Sequence, residues 1–221
     1  MLFGAEGNGV TKDTIAIQNA IDTCHIAGGG TVVLKDGQFV SGGLYLKSNV
    51  LLEIDISAEL MASGDIADYG MDTYHNRYRN EEVLDRCFLY VKDAENIGIT
   101  GFGRIDGNRE AFPNKRNTLH PMLLRFLRCS NIYIKEIHLY NTAAWTTAFL
   151  DSKNIWICSV GIWNEEQYNG DGLDFGRCSH VFVSDSKICG RMIICVCNLR
   201  QRNIQLRISM SKIVLLLLSA L

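Results

Sequence analysis

The feature that most constrains this chain is a short recurring unit: a polar residue, then apolar, any, apolar. Asn96-Ile97-Gly98-Ile99, Asn131-Ile132-Tyr133-Ile134, Asn154-Ile155-Trp156-Ile157 and His180-Val181-Phe182-Val183 are four copies. Cys129-Ser130 and Cys178-Ser179 directly precede the polar position in two of them. The last three copies begin at 131, 154 and 180, 23 and then 26 residues apart. Alternation with period two makes a strand with one buried face. A repeat in the twenties, made of strands with no helix between them, predicts stacked coils. One coil cannot cover its own apolar face, so stacking supplies the core, and asparagine at a fixed place in each coil would form a side-chain ladder. A β-sandwich also alternates, but it does not require the recurring Asn-apolar-x-apolar unit.

Only two prolines stand against twenty glycines, which suits many short strands joined by tight turns. The 221 residues, 47% apolar and 21% charged, can bury a full core in one or two domains. A net charge of −2 gives no basic excess for nucleic acid. Eight cysteines (24, 87, 129, 158, 178, 189, 195, 197) show no C-x-x-C pair with a matching partner pair. Cys195-Val196-Cys197 is too tight for a zinc knuckle, so neither metal nor cofactor is expected, and the earlier thiols read as buried and stacked. No signal peptide is expected from Met1-Leu2-Phe3-Gly4. The apolar run from Ile213 to Leu221 is far short of the roughly 20 residues of a membrane span, so no membrane is expected.

One helix is predicted, over about 13–25: Ile17, Ala20, Ile21 and Cys24 fall at i, i+3, i+4, i+7. Thr11 or Asp13 can cap its start, and Gly28-Gly29-Gly30 ends it. An open solenoid end exposes unpaired apolar surface, and an amphipathic helix just before the first strands is placed to cover it.

Phe3-Gly4-Ala5-Glu6-Gly7-Asn8-Gly9-Val10-Thr11-Lys12-Asp13-Thr14, with Ala16-Ile17-Gln18 and Ala20-Ile21 after it, resembles the opening of the pectate-lyase-like β-helix superfamily. Gly28 to Val33 and Ser48-Asn49-Val50 continue the match. That opening is shared by lyases, hydrolases and phage tailspikes, so it speaks to fold rather than reaction. Gly101-Phe102-Gly103-Arg104-Ile105-Asp106-Gly107 resembles the G-x-G-x-I-D-G coil of glycoside hydrolase family 28, the polygalacturonases. Asn169-Gly170-Asp171-Gly172-Leu173-Asp174 resembles that family's N-T-D-G-x-D motif, with Gly170 in place of Thr. His120 to Phe126 and Trp145 fall where members carry similar segments. The resemblance covers roughly residues 3 to 188. It implies an all-β fold: a right-handed parallel β-helix, a single-stranded solenoid with an N-terminal capping α-helix.

The resemblance also implies hydrolysis of the α-1,4-galacturonosidic bonds of pectin, on polygalacturonate or a rhamnogalacturonan-type polysaccharide. It implies a monomeric protein placed outside the cell or in the periplasm. Inverting hydrolysis needs one carboxylic acid to protonate the leaving oxygen and a carboxylate to activate water, about 6.5–9.5 Å apart. Consecutive coils lie about 4.8 Å apart, so acids one coil apart in sequence can meet that spacing. The family supplies one Asp from N-T-D, an Asp pair on the next coil, a His from G-H-G and a basic pair from R-I-K. Of these only Asp171 is present, as the catalytic carboxylate, with Asn169 as a substrate-binding neighbour; an Asn-Gly-Asp-Gly turn is the alternative. Asp174 is expected to be structural and Glu165-Glu166 a solvated loop face. Tyr74, His75, Arg77, Tyr78 and Arg79 form an aromatic and basic loop, a surface insertion that could touch a polyuronate.

Where the Asp pair is due, the chain reads Gly190-Arg191-Met192-Ile193-Ile194, and Asp185 is the last of its 24 acidic residues. Met192-Ile193 is encoded ATG-AT, so the frame starting on the third base reads GAT, aspartate. Across residues 203–214 the same frame permits Lys-Asn-Ile-Asn-Val-Glu-Asp-Cys, another coil unit. The expected organisation is therefore an incomplete β-helix domain over 1–188 and a frameshifted, poorly ordered tail over 189–221, with the chain inactive as it stands. A natural short paralogue is the rival. In function, a pectate-lyase-like polysaccharide lyase and a non-catalytic carbohydrate-binding β-helix or tailspike segment remain open.

Overall fold

The computed structural model describes residues 3–71, 73, 85–113, 115, 118–164, 170–190, 194–197, 204–210 and 215–218. The chain opens with β1 (Asn8–Lys12) and α1 (Thr14–Ile26). Ile17, Ala20 and Ile21 of α1 are buried, and Cys24 packs half-buried on the same core, as the sequence spacing predicts. The start differs in detail. Asp13 sits at the N-cap position, but its carboxylate accepts from the amides of Glu6 (2.7 Å) and Gly7 (3.1 Å) and makes no cap bond. Two loop amides take the carboxylate that would have served the helix, and α1 begins at Thr14.

From Gly30 the chain winds with three strands to each coil. The first is β2 (Gly30–Leu34), β3 (Gly37–Ser41) and β4 (Leu44–Tyr45). Next come β5 (Val50–Ile54), β6 (Ala58–Ala62) and β7 (Arg86–Lys92), then β8 (Glu95–Thr100), β9 (Arg104–Asp106) and β10 (Pro121–Leu127). The following two coils are β11 (Ser130–Lys135), β12 (His138–Tyr140) and β13 (Thr147–Leu150), and β14 (Lys153–Cys158), β15 (Gly161–Asn164) and β16 (Leu173–Gly176). One long strand, β17 (Ser179–Gly190), opens the next, followed by β18 (Ile194–Cys197), β19 (Ile204–Met210) and β20 (Leu215–Leu218).

Each strand pairs in parallel with its counterpart one coil away. The first face runs β2-β5-β8-β11-β14-β17, the second β1-β3-β6-β9-β12-β15-β17 and the third β4-β7-β10-β13-β16-β18-β20. This is a right-handed parallel β-helix, and α1 packs on β2, β4 and β5 to close its first end. Parallel register lines like residues up along the axis. Val32, Leu52, Ile99, Ile134, Ile157 and Val183 form one inward file, all buried. Phe126, Phe149 and Phe175 form another, stacked at 5.0 and 5.1 Å. Burying each such side chain is worth about 1.5–3 kcal/mol, which is why no coil stands without its neighbours.

The coils turn at left-handed residues, and this is what the recurring asparagine supplies. Asn49, Asn96, Asn131, Asn154 and His180 have φ of 65, 55, 56, 56 and 56°, a region asparagine tolerates better than most residues. Asn96 donates to Asn49 (2.8 Å), Asn131 to Asn96 (2.9 Å) and Asn154 to Asn131 (2.9 Å). The ladder expected from the repeat is therefore present and reaches one coil further back, to Asn49. A second file of left-handed turn residues, Asp93, Arg128, Asp151 and Arg177, alternates in charge; Arg128 pairs with Asp93 and Arg177 with Asp151.

The thiols of Cys87, Cys129, Cys178 and Cys189 are buried and those of Cys24 and Cys158 half-buried; none of these six is in a disulfide. Past residue 188, β18 and β20 extend the third face, while β19 pairs with β17 from Val181↔Ile204 to Ile188↔Met210. The sequence there carries a further copy of the unit, Asn203-Ile204-Gln205-Leu206, not recognised among the repeats above.

Candidate active site

The third face carries the motif around Asp171. In β16, Leu173 and Phe175 enter the core, so alternation turns Asp174 outward. It continues an outer file of Tyr45, Tyr90, Arg125, Ala148 and Asp174 across five coils. Asp174 is only 6% exposed and Arg125 only 2%. From Tyr90 to Asp174 the outer file is thus a covered floor, while Tyr45 at its start is exposed. Part of that cover is Thr73, whose carbonyl accepts from the Arg125 guanidinium; Arg125 also reaches the Met122 sulfur. Cys87, Tyr90, Met122, Ala144 and Ala148 pack on this outer side with Trp145 against them.

Asp171 lies two residues before β16, half-buried between the buried Gly170 and Gly172. Its carbonyl accepts from the Thr146 amide (2.8 Å), and the Gly172 carbonyl from the Thr147 hydroxyl (3.1 Å). The neighbouring coil therefore holds the backbone at Asp171 and at the residue that follows it. A buried polar network fixes that coil in turn. Asn164, 2% exposed, accepts from the Thr142 amide (3.0 Å) and donates to the Thr146 hydroxyl, while the Thr142 hydroxyl donates to the Ala144 carbonyl (2.9 Å). Buried polar networks of this kind restrict the coil to one geometry.

Upstream, Gly107 abuts Thr142: a β-carbon on Gly107 would lie 2.5 Å from the Thr142 Cα, so only glycine lets these turns stack. Asp106, of the G-x-G-x-I-D-G segment, accepts from the Asn108 amide (2.7 Å) and Asn141 Nδ2 (3.0 Å). Burial pushes the Asp106 carboxyl above the ordinary carboxylate range, against these hydrogen bonds, and the charge of Glu59 pushes the same way. Glu59 itself accepts from the Tyr140 hydroxyl. His120 is tied under the loop before β10, bonded to the Pro113 carbonyl (2.6 Å) and Thr118 Oγ1 (3.1 Å) and packed edge-on to Phe112.

Of the two site residues expected from the sequence, the structure puts Asp171 at the edge of the third face. Asn169 lies outside the described residues, as do Glu165, Glu166 and the loop with Tyr74, His75, Arg77, Tyr78 and Arg79. Arg125 and the Thr142–Asn164–Thr146 network were not foreseen. A lone arginine inside the apolar strand PMLLRFL was the available signal, since arginine is almost never fully buried without partners. Among the described residues, no group of three or more His, Cys, Asp or Glu could hold a metal ion. None of their helices is long and apolar enough to cross a membrane.

The sequence profile of glycosyl hydrolases family 28 matches residues 13–204. The chain belongs to that family. The match runs beyond residue 188, where the tail was expected to begin. Among curated proteins, the chain is 28% identical over 239 residues to an exo-poly-α-D-galacturonosidase of Dickeya chrysanthemi, covering 83% of this chain and 39% of that protein. A stretch of 108 residues, 49% of this chain and 8% of the relative, is 57% identical to mannuronan C5-epimerase AlgE1 of Azotobacter vinelandii. The chain spans less than half the length of these relatives. Among solved structures, the family 28 exopolygalacturonase of Yersinia enterocolitica superposes with a TM-score of 0.79 at 24% identity, over 88% of this chain and 44% of that one. That likeness concerns the fold, which the family 28 membership here shares.

Proposed function

We propose that this chain is part of a family 28 glycosidase that hydrolyses α-1,4-galacturonosidic bonds of pectic polysaccharide with inversion, outside the cell or in the periplasm. Asp171 is the carboxylate that activates or positions the attacking water, and Asn169 contacts substrate beside it. The observation that carries this reading is the pair of backbone hydrogen bonds at Asp171 and Gly172, which holds a half-buried aspartate at the edge of the sheet bearing Arg125 and Asp174. A single carboxylate cannot serve as both acid and base in an inverting reaction. The missing Asp pair therefore makes the chain as it stands inactive.

The same reading holds that residues from about 189 onward are out of frame. The loss of acidic residues after Asp185 and the aspartate codon hidden in Met192-Ile193 support it. Strands β18 to β20 form in the frame as given, so the gene's nucleotides decide the matter: a shifted frame with neither an Asp pair nor further coil units ends the frameshift idea.

A second reading is favoured by the 57% identical stretch shared with the epimerase: a β-helix acting at C5 of a uronan. Proton abstraction there leads to epimerised or 4,5-unsaturated sugar, whereas hydrolysis leaves saturated reducing ends. The test is a frame-repaired, full-length protein incubated with polygalacturonate and with mannuronan. New reducing ends on polygalacturonate without ultraviolet-absorbing product support the hydrolase; unsaturated or epimerised product overturns it.

A further inference from the structure

The first face presents an outward file that the proposed catalytic reading does not use. Thr31, Leu51, Gly98, Tyr133, Trp156 and Phe182 stand in register on successive coils. Three of them are stacked rings: Tyr133 on Trp156 at 4.8 Å and 6°, and Trp156 on Phe182 at 6.2 Å and 9°. The stack stops at Gly98, which has no side chain of its own; the movable tip of Leu51 leans over it, 2.4 Å from where a Gly98 β-carbon would stand. Coils rise about 4.8 Å each, so a flat ring set on Tyr133 at this level displaces only that leucine tip. Tyr133 stacks on Trp156 on one side only and is 48% exposed, among the more exposed large apolar residues.

The notch is a concavity of about 440 Å³, and its polar walls are Asn49, Asn96, Thr31, Thr100 and Lys135. The Lys135 side chain is 57% exposed, and its ammonium lies 3.4 Å from the Glu136 carboxylate. On the same file as Lys135, Thr100 separates it from Glu53. An aromatic face beside a glycine, hydroxyl and amide groups at its rim and a cation at its side fit a pyranose that carries a carboxylate.

We propose that the Gly98 notch is a second, non-catalytic binding site for one uronosyl residue of an acidic polysaccharide. The apolar face of the sugar lies on Tyr133, and its carboxylate lies toward Lys135. A chain held here on the first face is bound away from Asp171, which belongs to the third. The site extends the pectin reading by adding a hold on the polymer outside the cleft.

The experiment is calorimetric titration of the full chain with a saturated oligogalacturonate, beside a neutral galactan oligosaccharide of equal length. Gly98→Phe adds a ring to the stack and closes the notch. Gly98 does not have a left-handed backbone, and the obstacle nearest the new side chain is the movable tip of Leu51. Gly98→Phe and Tyr133→Ala should each weaken oligogalacturonate binding by roughly tenfold, the loss of one aromatic contact. Tyr133→Phe should keep it, Lys135→Gln should weaken the acidic but not the neutral ligand, and Asp171→Asn should leave this binding unchanged. Undiminished binding in Gly98→Phe, whose fold circular dichroism verifies, overturns the proposal, as does wild-type chain that binds no oligogalacturonate at millimolar concentration. Loss of binding in Asp171→Asn alone places the ligand in the cleft; that overturns the second site and leaves the hydrolase reading standing.

Discussion

Replacing Asn131 tests whether the recurring asparagine is a turn ladder, as the fold requires. Asn131 donates to Asn96 and accepts from Asn154, both at 2.9 Å, with φ of 56°. Two perturbations separate its two duties. Asn131→Gly removes both side-chain hydrogen bonds but adopts the left-handed turn without strain. Each bond is worth about 0.5–1.5 kcal/mol net, and water can reach Asn96 once its partner is gone, so the low end applies and about 1–2 kcal/mol is expected. Asn131→Ala loses the same bonds and must also hold a β-carbon in the left-handed region, a further cost of about 1–2 kcal/mol. Urea unfolding followed by circular dichroism gives both values, provided the slope against denaturant is unchanged. The order wild type, Gly, Ala is the prediction. Equal stability of the Gly and Ala variants would refute the left-handed role, and a loss under about 0.5 kcal/mol in both would refute the ladder.

Further outcomes follow from burial and charge. The thiols of Cys87, Cys129 and Cys178 are pushed up by burial to about 12, 11 and 12, so in the native protein near pH 8 they should resist a thiol-specific reagent that labels all of them in denaturant. Asp106 has its folded pKa raised above the ordinary 3.8, so the native state binds its proton more tightly than the unfolded chain. Its contribution to stability therefore falls as pH rises from that value through the folded pKa, and Asp106→Asn should flatten the pH dependence of unfolding on the acid side. Breaking the exposed Asp93–Arg128 pair (2.5 and 2.7 Å) by Arg128→Gln should shift the urea midpoint little, and less still in high salt. Phe149→Ala, in the middle of the phenylalanine stack and fully buried, should cost about 3–5 kcal/mol in the same unfolding assay.

Much of this fold is legible before any coordinates, because a solenoid writes its register into the sequence. The copies at Asn96, Asn131, Asn154 and His180 display both the strand and the turn that precedes it. The earlier coils are harder to see. Their strands at Val32 and Leu52 join the same inward file, but the intervals between coils there are irregular, and only Asn49 keeps the turn residue. The capping role of α1 follows from its apolar spacing, whereas the use of the Asp13 carboxylate by Glu6 and Gly7 depends on where the loop folds back. Asp171 is reached through its motif. Arg125, Asn164 and Thr146 act through partners one or more coils away, which no local pattern displays.

The account rests most heavily on inverting hydrolysis at Asp171, and the anomeric form of the first product tests it directly. In a frame-repaired, full-length protein, proton NMR during the first minutes of polygalacturonate cleavage should show new reducing ends as the β-anomer. Asp171→Asn should lower that rate by about a thousandfold, within the range for loss of a general base. An α-anomer appearing first, or an Asp171→Asn variant that cleaves at the parent rate, would contradict it.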